Sequence, residues 1–415
     1  MARSRPSTRL ADERATHLER FQSSQGVQTV QASASRHQVQ ARSRVFGAIT
    51  LDETGGGVDT ASRLMWQAIT DTWGSGALLL SLGTGTNGHT ARPPGIEARV
   101  RFGAKVAYAQ TIGAGEWTFF SHLAVAQVQT FVPLGYRRRY GVFLHGIEVW
   151  RPLTPRQTAV LRNAALLVAN SEFTARRTAA LHPWMTSIAV CPLALPGTSA
   201  AALRVASAGA RPPVVIIVGR LDPGERYKGH DELIVAWRDV RARVPGARLL
   251  VVGGGADGDR LRALAKEHGV ADAVEFTGFV SQDQLHALYE QARVFAMPSR
   301  NEGFGLVYLE AMRHHLPCVG SVHDAARDVI ADAVTGCLID QGNRTQLTST
   351  LVRLLLDDEA CRRMGEAGFV RATQQFSYSA FRQRFVELLR GTLEVHDRLA
   401  RPLPSAEVQT ASHDN

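Results

Sequence analysis

PSRNEGFGLVYLEA, residues 298–311, is the stretch whose reading decides the fold of this chain. A mostly apolar run, 292–297, delivers the backbone to a Pro298-Ser299 turn. The Gly303-Phe304-Gly305 segment then opens onto a helical pattern at Leu306, Leu309, Ala311 and Met312. That is a strand, a loop and a helix start. Helix-start amides lack intrahelical partners and the macrodipole favours an anion there, while Gly303 and Gly305 allow a phosphate to approach the backbone closely. Two carboxylates flank the spot. Glu302 stands in the loop and Glu310 is expected about two turns into the helix, too far apart to share a proton but placed to grip two ends of one ligand. A diphosphate between two hydroxylated rings has that shape.

The flanking sequence repeats the same chemistry. Residues 214–218, VVIIV, read as a buried strand, followed by Gly219-Arg220-Leu221-Asp222 and by Lys228-Gly229 ahead of a helix over 232–240. Arg220 offers a planar fork and Lys228 a point charge for phosphates; the competing reading pairs them with Asp222 and Asp231 on the surface. Further back, a strand at 45–50 runs into Gly55-Gly56-Gly57 and a helical pattern at Ala61, Leu64, Met65, Ala68 and Ile69. This is either an anion-binding turn or a tight turn that only needs glycine. His122 follows a strand at 117–120, and His145 follows one at 140–144. Two His after successive strand ends of a parallel sheet face one crevice. Other strands are expected at 77–82, 105–109, 165–169, 188–192, 249–252 and 317–320, and around Gly278 in VEFTGFV. Further helices are expected at 158–163, 259–268, 282–291, 348–356 and 381–399. Ser171 reads as a helix cap, not a nucleophile.

Three patterns mimic other functions. Gly83 to Gly88 spells G-x-G-x-x-G, but Arg92-Pro93-Pro94 forbids the helix that a dinucleotide site requires. Gly253 to Gly258 spells it again between a strand and a helix, with Glu275 beyond, which keeps an NAD(P)-dependent oxidoreductase as an alternative. Asp257-Gly258-Asp259 resembles a manganese-binding pair but falls at a helix start, where acids are favoured anyway, so no metal is assigned.

Composition sets the bounds. At 415 residues, 45% hydrophobic and 20% charged, the chain has room for two cores, and no apolar run approaches a spanning helix. Cys191, Cys318, Cys337 and Cys361 lack disulfide or zinc spacing and read as buried apolar residues. The net charge is +9, but residues 1–44 hold eight Arg against Asp12, Glu13 and Glu19, so over half of the excess sits there. The remainder fits weak attraction to an anionic bilayer surface, and no motif supports nucleic-acid recognition. Arg137-Arg138-Arg139 reads as a solvated turn. With no apolar leader, a cytoplasmic location, peripheral at the inner membrane face, is expected.

Glu302-Gly-Phe-Gly-Leu-Val-Tyr-Leu-Glu310 resembles the E-x7-E motif of the retaining family-4 glycosyltransferases, including its central G-[FY]-G. The Arg220/Lys228 pair, the ANSEFT turn at 169–174 and the two strand-end His match that family as well, so the resemblance covers roughly 46–399. It implies the α/β GT-B fold, two Rossmann-like domains facing across a cleft, and a nucleotide-sugar donor without a cofactor. It further implies a hydroxyl acceptor, saccharide or lipid-linked, in polysaccharide or glycolipid assembly. Carried over residue by residue, it implies that Glu302 meets the donor sugar and Glu310 the ribose. Arg220, Lys228 and the Gly303, Phe304 and Gly305 amides would hold the diphosphate, Gly278 would lie beside the base, and His122, His145 and the Gly55–Gly57 loop would lie near the acceptor. The implied layout is a disordered basic tail (1–44), an acceptor domain (45–194), a linker (195–213), a nucleotide-sugar domain (214–378), a helix crossing back (379–400) and a flexible tail (401–415). His323-Asp324-Ala325-Ala326 departs from the glycine-rich turn the family often has there, which leaves the sugar open. A nucleotide-sugar epimerase or hydrolase and a non-catalytic sugar-binding subunit are the remaining alternatives.

Overall fold

Strand and helix alternate along the chain. The first half contains β1 (Ser43–Ala48), α1 (Gly57–Trp73), β2 (Ala77–Ser81), α2 (Ile96–Thr111), β3 (Gly115–Phe120), the one-turn α3 (Leu123–Ala126), β4 (Arg139–Leu144), α4 (Pro155–Arg162), β5 (Leu166–Ala169), α5 (Glu172–Leu181) and β6 (Ala189–Val190). The second contains β7 (Val214–Val218), α6 (His230–Arg243), β8 (Arg248–Val252), α7 (Gly258–Glu267), β9 (Val274–Gly278), α8 (Gln282–Gln291), β10 (Val294–Ala296), α9 (Leu306–Arg313), β11 (Cys318–Ser321), the one-turn α10 (Ala326–Val329), β12 (Gly336–Ile339), α11 (Arg344–Leu356), α12 (Asp358–Gln374) and α13 (Tyr378–Ala400). This computed structural model describes residues 43–52, 56–83, 95–111, 115–196 and 211–400. The expectations for 1–42, Gly55, 84–94, most of the 195–213 linker and 401–415 lie outside the described residues.

The strands form two parallel six-stranded sheets, ordered β2-β1-β3-β4-β5-β6 and β12-β11-β10-β7-β8-β9. Parallel neighbours need a crossover, and the intervening helices supply it. Burial on both faces is why β7 reads as an unbroken β-branched run. In each sheet the strand order reverses once, between β1 and β3 and between β7 and β10. Crevices at such reversals, beyond the carboxyl ends of the strands, are where open α/β sheets bind ligands. The fold is therefore GT-B, two Rossmann-like sheets, as the resemblance implied.

Periodicity located α1 well: Ala61, Leu64, Met65, Ala68 and Ile69 are all buried. It misled at 105–109, expected as a strand. KVAYA is the last part of α2, where Val106 and Ala109 join Phe102 on the buried face at helical spacing. α12 and β12 were not anticipated. All four Cys are buried free thiols. No described helix is long and apolar enough to cross a membrane.

The last helix returns to the first half. Phe381 and Phe385 are fully buried on α13, and Phe385 meets Phe119 of β3 edge-on at 5.1 Å. Tyr378 donates to Asp71 Oδ2 at 2.5 Å, and Arg382 donates to the Asp71 carbonyl at 3.0 Å. One apolar cluster accordingly runs from Phe46 and Phe119 through Phe385 to Val215 and Ile216. Phe385→Ala is expected to cost about 3–5 kcal/mol, read as a lower urea midpoint by tryptophan fluorescence, whereas Leu356→Ala at an exposed helix end should stay within about 0.5 kcal/mol.

Candidate active site

The 298–311 stretch leaves β10 at the reversal point of the second sheet. Gly305 adopts φ 86°, a conformation that suits glycine, and an added Cβ would strike the Tyr308 ring at 2.4 Å. α9 begins at Leu306, so Glu310 lies about one turn inside it, not two. The Phe304 ring is buried edge-on against Phe376 at 5.9 Å, so only its backbone can serve a ligand. The Gly303 and Phe304 amides face the Glu302 carboxylate, which burial pushes above its ordinary range, Lys228 draws down and Glu225 pushes up again. This differs from the expected phosphate cradle: the acid beside the two amides already uses them.

The cations meet in one place. Arg220 and Lys228 both pair with Glu225, Lys228 Nζ at 2.6 Å from Oε2. The acids considered as surface partners are engaged elsewhere, with Asp222 accepting from the Gly224 amide at 2.8 Å and Asp231 held by Arg260. Lys228 and Glu225 both act on the Glu302 carboxyl, so the cationic pair and the first acid of the motif are neighbours. Glu310 accepts from the Tyr289 hydroxyl at 3.1 Å, and burial raises its pKa against that hydrogen bond. No contact joins it to the Arg220/Lys228 pair among the described residues. Gly278 ends β9 at φ 69° with no atom within 4 Å of where a Cβ would stand.

The first half brings its own strand ends to the same loop. An added Cβ on Gly303 would stand 2.0 Å from the His145 carbonyl oxygen, and Ser171 Oγ and Thr174 Oγ1 donate to the Gly303 carbonyl at 2.8 and 3.1 Å. Ser171 also caps α5 through the Thr174 amide. Gly57 faces Leu306 at the start of α9, with 3.9 Å to a notional Cβ, and Gly56 precedes it as the exposed cap of α1. His122 and His145 stack with ring centroids 5.4 Å apart. His122 Nδ1 accepts from the Ala124 amide at 2.9 Å, and burial lowers the ring pKa to about 4. The ring is therefore neutral at pH 7 with its proton on Nε2, a hydrogen-bond donor. His145 Nε2 donates to the Ser121 carbonyl at 2.7 Å.

The mimics have structural explanations. A Cβ on Gly253 or Gly255 would meet the Gly219 or Leu221 carbonyl at 2.0 or 2.1 Å, so these glycines admit the loop after β7. Asp257 is held by Arg226 and Arg260 at 2.7 and 2.6 Å, and the exposed Asp259 pairs with Arg262 at 3.2 Å. Arg138 and Arg139 are exposed, as expected, while Arg137 Nε and Arg138 Nε also donate to the Val132 and Gln110 carbonyls.

Sequence reasoning missed Glu225 and Asp324. Glu225 was visible as an acid between the two cations in one short loop. Asp324 had no signal beyond its departure from the family pattern.

Residues 203–371 match the family model described as "Glycosyl transferases group 1". Over 292 residues the chain is 32% identical to the "GDP-mannose-dependent alpha-(1-6)-phosphatidylinositol monomannoside mannosyltransferase" of Mycolicibacterium smegmatis, spanning 65% of this chain and 76% of that one. The chain belongs to the group 1 glycosyltransferases. A relative of the same description from Mycobacterium tuberculosis is 36% identical over 186 residues, 43% of this chain, which spans about half, 48%, of that relative. Among solved structures, sucrose-phosphate synthase from Thermosynechococcus elongatus superposes with a TM-score of 0.68 at 21% identity, over 85% of this glycosyltransferase and 100% of that chain.

Asp257 gives this glycosyltransferase an acid-sensitive joint. Its two guanidinium partners hold the carboxyl far below its ordinary value of 3.8, with burial opposing. A depressed carboxylate contributes stability above the unfolded pKa, and the contribution is lost as pH falls toward the folded one. The melting temperature is expected to fall from pH 5 to pH 3, and Asp257→Asn should melt lower at pH 7 with a flatter acid limb in differential scanning fluorimetry.

Proposed function

We propose that this chain transfers a hexose, with retention, from a nucleoside diphosphate sugar to a hydroxyl of a lipid-linked acceptor in glycolipid or polysaccharide assembly. The observation that carries the reading is the convergence of Arg220 and Lys228 on one carboxylate position beside Glu302, at the reversal point of the second sheet. Two cations aimed at one oxygen pair describe where an anion belongs. In the proposed reaction the donor diphosphate takes the place of the Glu225 carboxylate and takes over both cations. GDP-mannose is the first donor to test, since the relatives are described as GDP-mannose-dependent.

In the proposed reaction the bond from the anomeric carbon to the β-phosphate oxygen breaks, and the acceptor oxygen bonds to the same face. The acceptor proton passes to the departing phosphate oxygen. Arg220 and Lys228 stabilise the negative charge that develops on the leaving group, which is the main catalytic contribution and comes from the chain's own side chains without a resident metal. Glu302 orients the sugar and stabilises positive charge at the anomeric carbon. His122 Nε2–H donates to a sugar or acceptor oxygen, Glu310 binds the ribose hydroxyls, and His145 with the Gly56–Gly57 loop lines the acceptor side.

Thermal-shift screening with GDP-mannose, UDP-glucose and ADP-glucose tests the donor, because a ligand at about 100 times its Kd adds roughly 2.7 kcal/mol. With the donor that binds, Arg220→Ala and Glu302→Gln should each lower turnover about 100- to 1,000-fold while the unliganded melting temperature changes little. Near-normal turnover in either variant removes that role.

The acceptor half also offers a surface for a lipid substrate. Ile96, Val100, Arg101, Lys105 and Tyr108 are exposed along one face of α2 together with Glu97, mixing apolar and basic side chains around one acid. Peripheral docking of this face on the inner leaflet would hold the chain at the surface where a lipid-linked acceptor resides. Sedimentation with phosphatidylglycerol vesicles should show salt-sensitive binding that Arg101→Glu with Lys105→Glu weakens about tenfold or more, and that neutral vesicles do not support.

A further inference from the structure

Asp324 belongs to the stretch that departs from the family's usual glycine-rich turn, and no role in the proposed reaction accounts for it. Its side chain is 0% exposed, an unfavourable setting for a carboxyl without strong partners. The partners lie on two sides. Oδ1 accepts from the Ala326 amide at 3.0 Å, a local bond at the start of α10. Oδ2 reaches across to the motif loop, where it accepts from Ser299 Oγ and from the Glu302 amide, the latter at 3.2 Å. A local cap requires only one oxygen, so the first contact alone does not explain a buried acid.

The adjacent backbone completes the bracket. The Ala325 amide donates to the Glu302 carbonyl at 3.1 Å, so both backbone polar groups of Glu302 are held by residues 324 and 325. The next carbonyl, of Gly303, takes the Ser171 and Thr174 hydroxyls. Three backbone groups of Glu302 and Gly303 are thus fixed, and the direction in which the Glu302 side chain leaves the loop follows.

We propose that Asp324 is the positioning residue for Glu302: a buried carboxylate whose two oxygens tie the motif loop to the turn after β11 and set the line along which Glu302 meets the donor sugar. This rests on the reading of Glu302 given above. Burial and the nearby Glu302 charge push the Asp324 pKa up to about 7, and the bonds from Ser299 and the two amides oppose that rise by favouring the charged form.

Two variants test it. Asn at 324 keeps the shape but only one acceptor, so either the Glu302 or the Ala326 amide faces an NH2 group. Asp324→Asn is expected to lower kcat about 100-fold while GDP affinity by isothermal titration stays within about twofold, the pattern of a misplaced catalytic group. Ser299→Ala leaves both amide contacts and should lower kcat about three- to tenfold with the same unchanged GDP affinity. Wild-type kcat in Asp324→Asn, or GDP affinity that falls in parallel with kcat, overturns the proposal. If Asp324→Asn does not fold, Ser299→Ala decides in the same way. Should the wild-type chain transfer no sugar, the functional reading fails, and amide hydrogen exchange still decides the structural claim. Faster exchange over 298–305, with α7 unchanged, supports the bracket in either variant, and unaltered exchange removes it.

Discussion

The Gly303 carbonyl is the point on which the arrangement depends. It accepts two hydroxyls from the start of α5, and the absence of a side chain at Gly303 lets the His145 carbonyl approach. The strand-end loops of both sheets therefore meet at one residue of the motif. A side chain there would drive the halves apart, parting the end of β4 at His145 from the loop carrying Glu302. A further contact supports the same joint, with the Phe173 amide in the first turn of α5 donating to Asp328 Oδ2 of the second half at 2.7 Å. A carboxylate at a helix start is electrostatically favoured as well as hydrogen-bonded.

Around that joint the charges are arranged in matched groups. Arg220 and Lys228 share Glu225, Arg226 and Arg260 share Asp257, and Arg260 also holds Asp231. The second network fixes the loop that carries the first. Asp257 is buried with both oxygens engaged, so the segment before α7 is tied to Arg226, two residues from Lys228. Glu225 holds Arg220 and Lys228 together in one short loop, each cation on its own carboxylate oxygen.

Much of this was legible in the sequence because it rests on local rules. The apolar spacing of α1, the β-branched run of β7, the Ser171 cap and the paired glycines before α9 each act over one or two turns of chain. The α2 error has a local cause too, since KVAYA suits either period and only burial beside Phe102 decided it. Glu310 was placed too deep through the turn count alone, since the pattern and α9 both begin at Leu306 and four residues make about one turn.

The sequence by itself determined the alternation of strand and helix, the two glycine-rich strand ends, and the residue types able to hold a diphosphate sugar, since these follow from backbone preference and side-chain chemistry. Which residues are partners was decided only by the tertiary structure. Glu225 rather than Asp222 or Asp231 takes the cations, Asp324 brackets Glu302, and Gly253 and Gly255 admit a neighbouring loop. The physical reason is that pairing energy falls steeply with distance and with exposure to water, and both are fixed by packing between segments far apart in the chain.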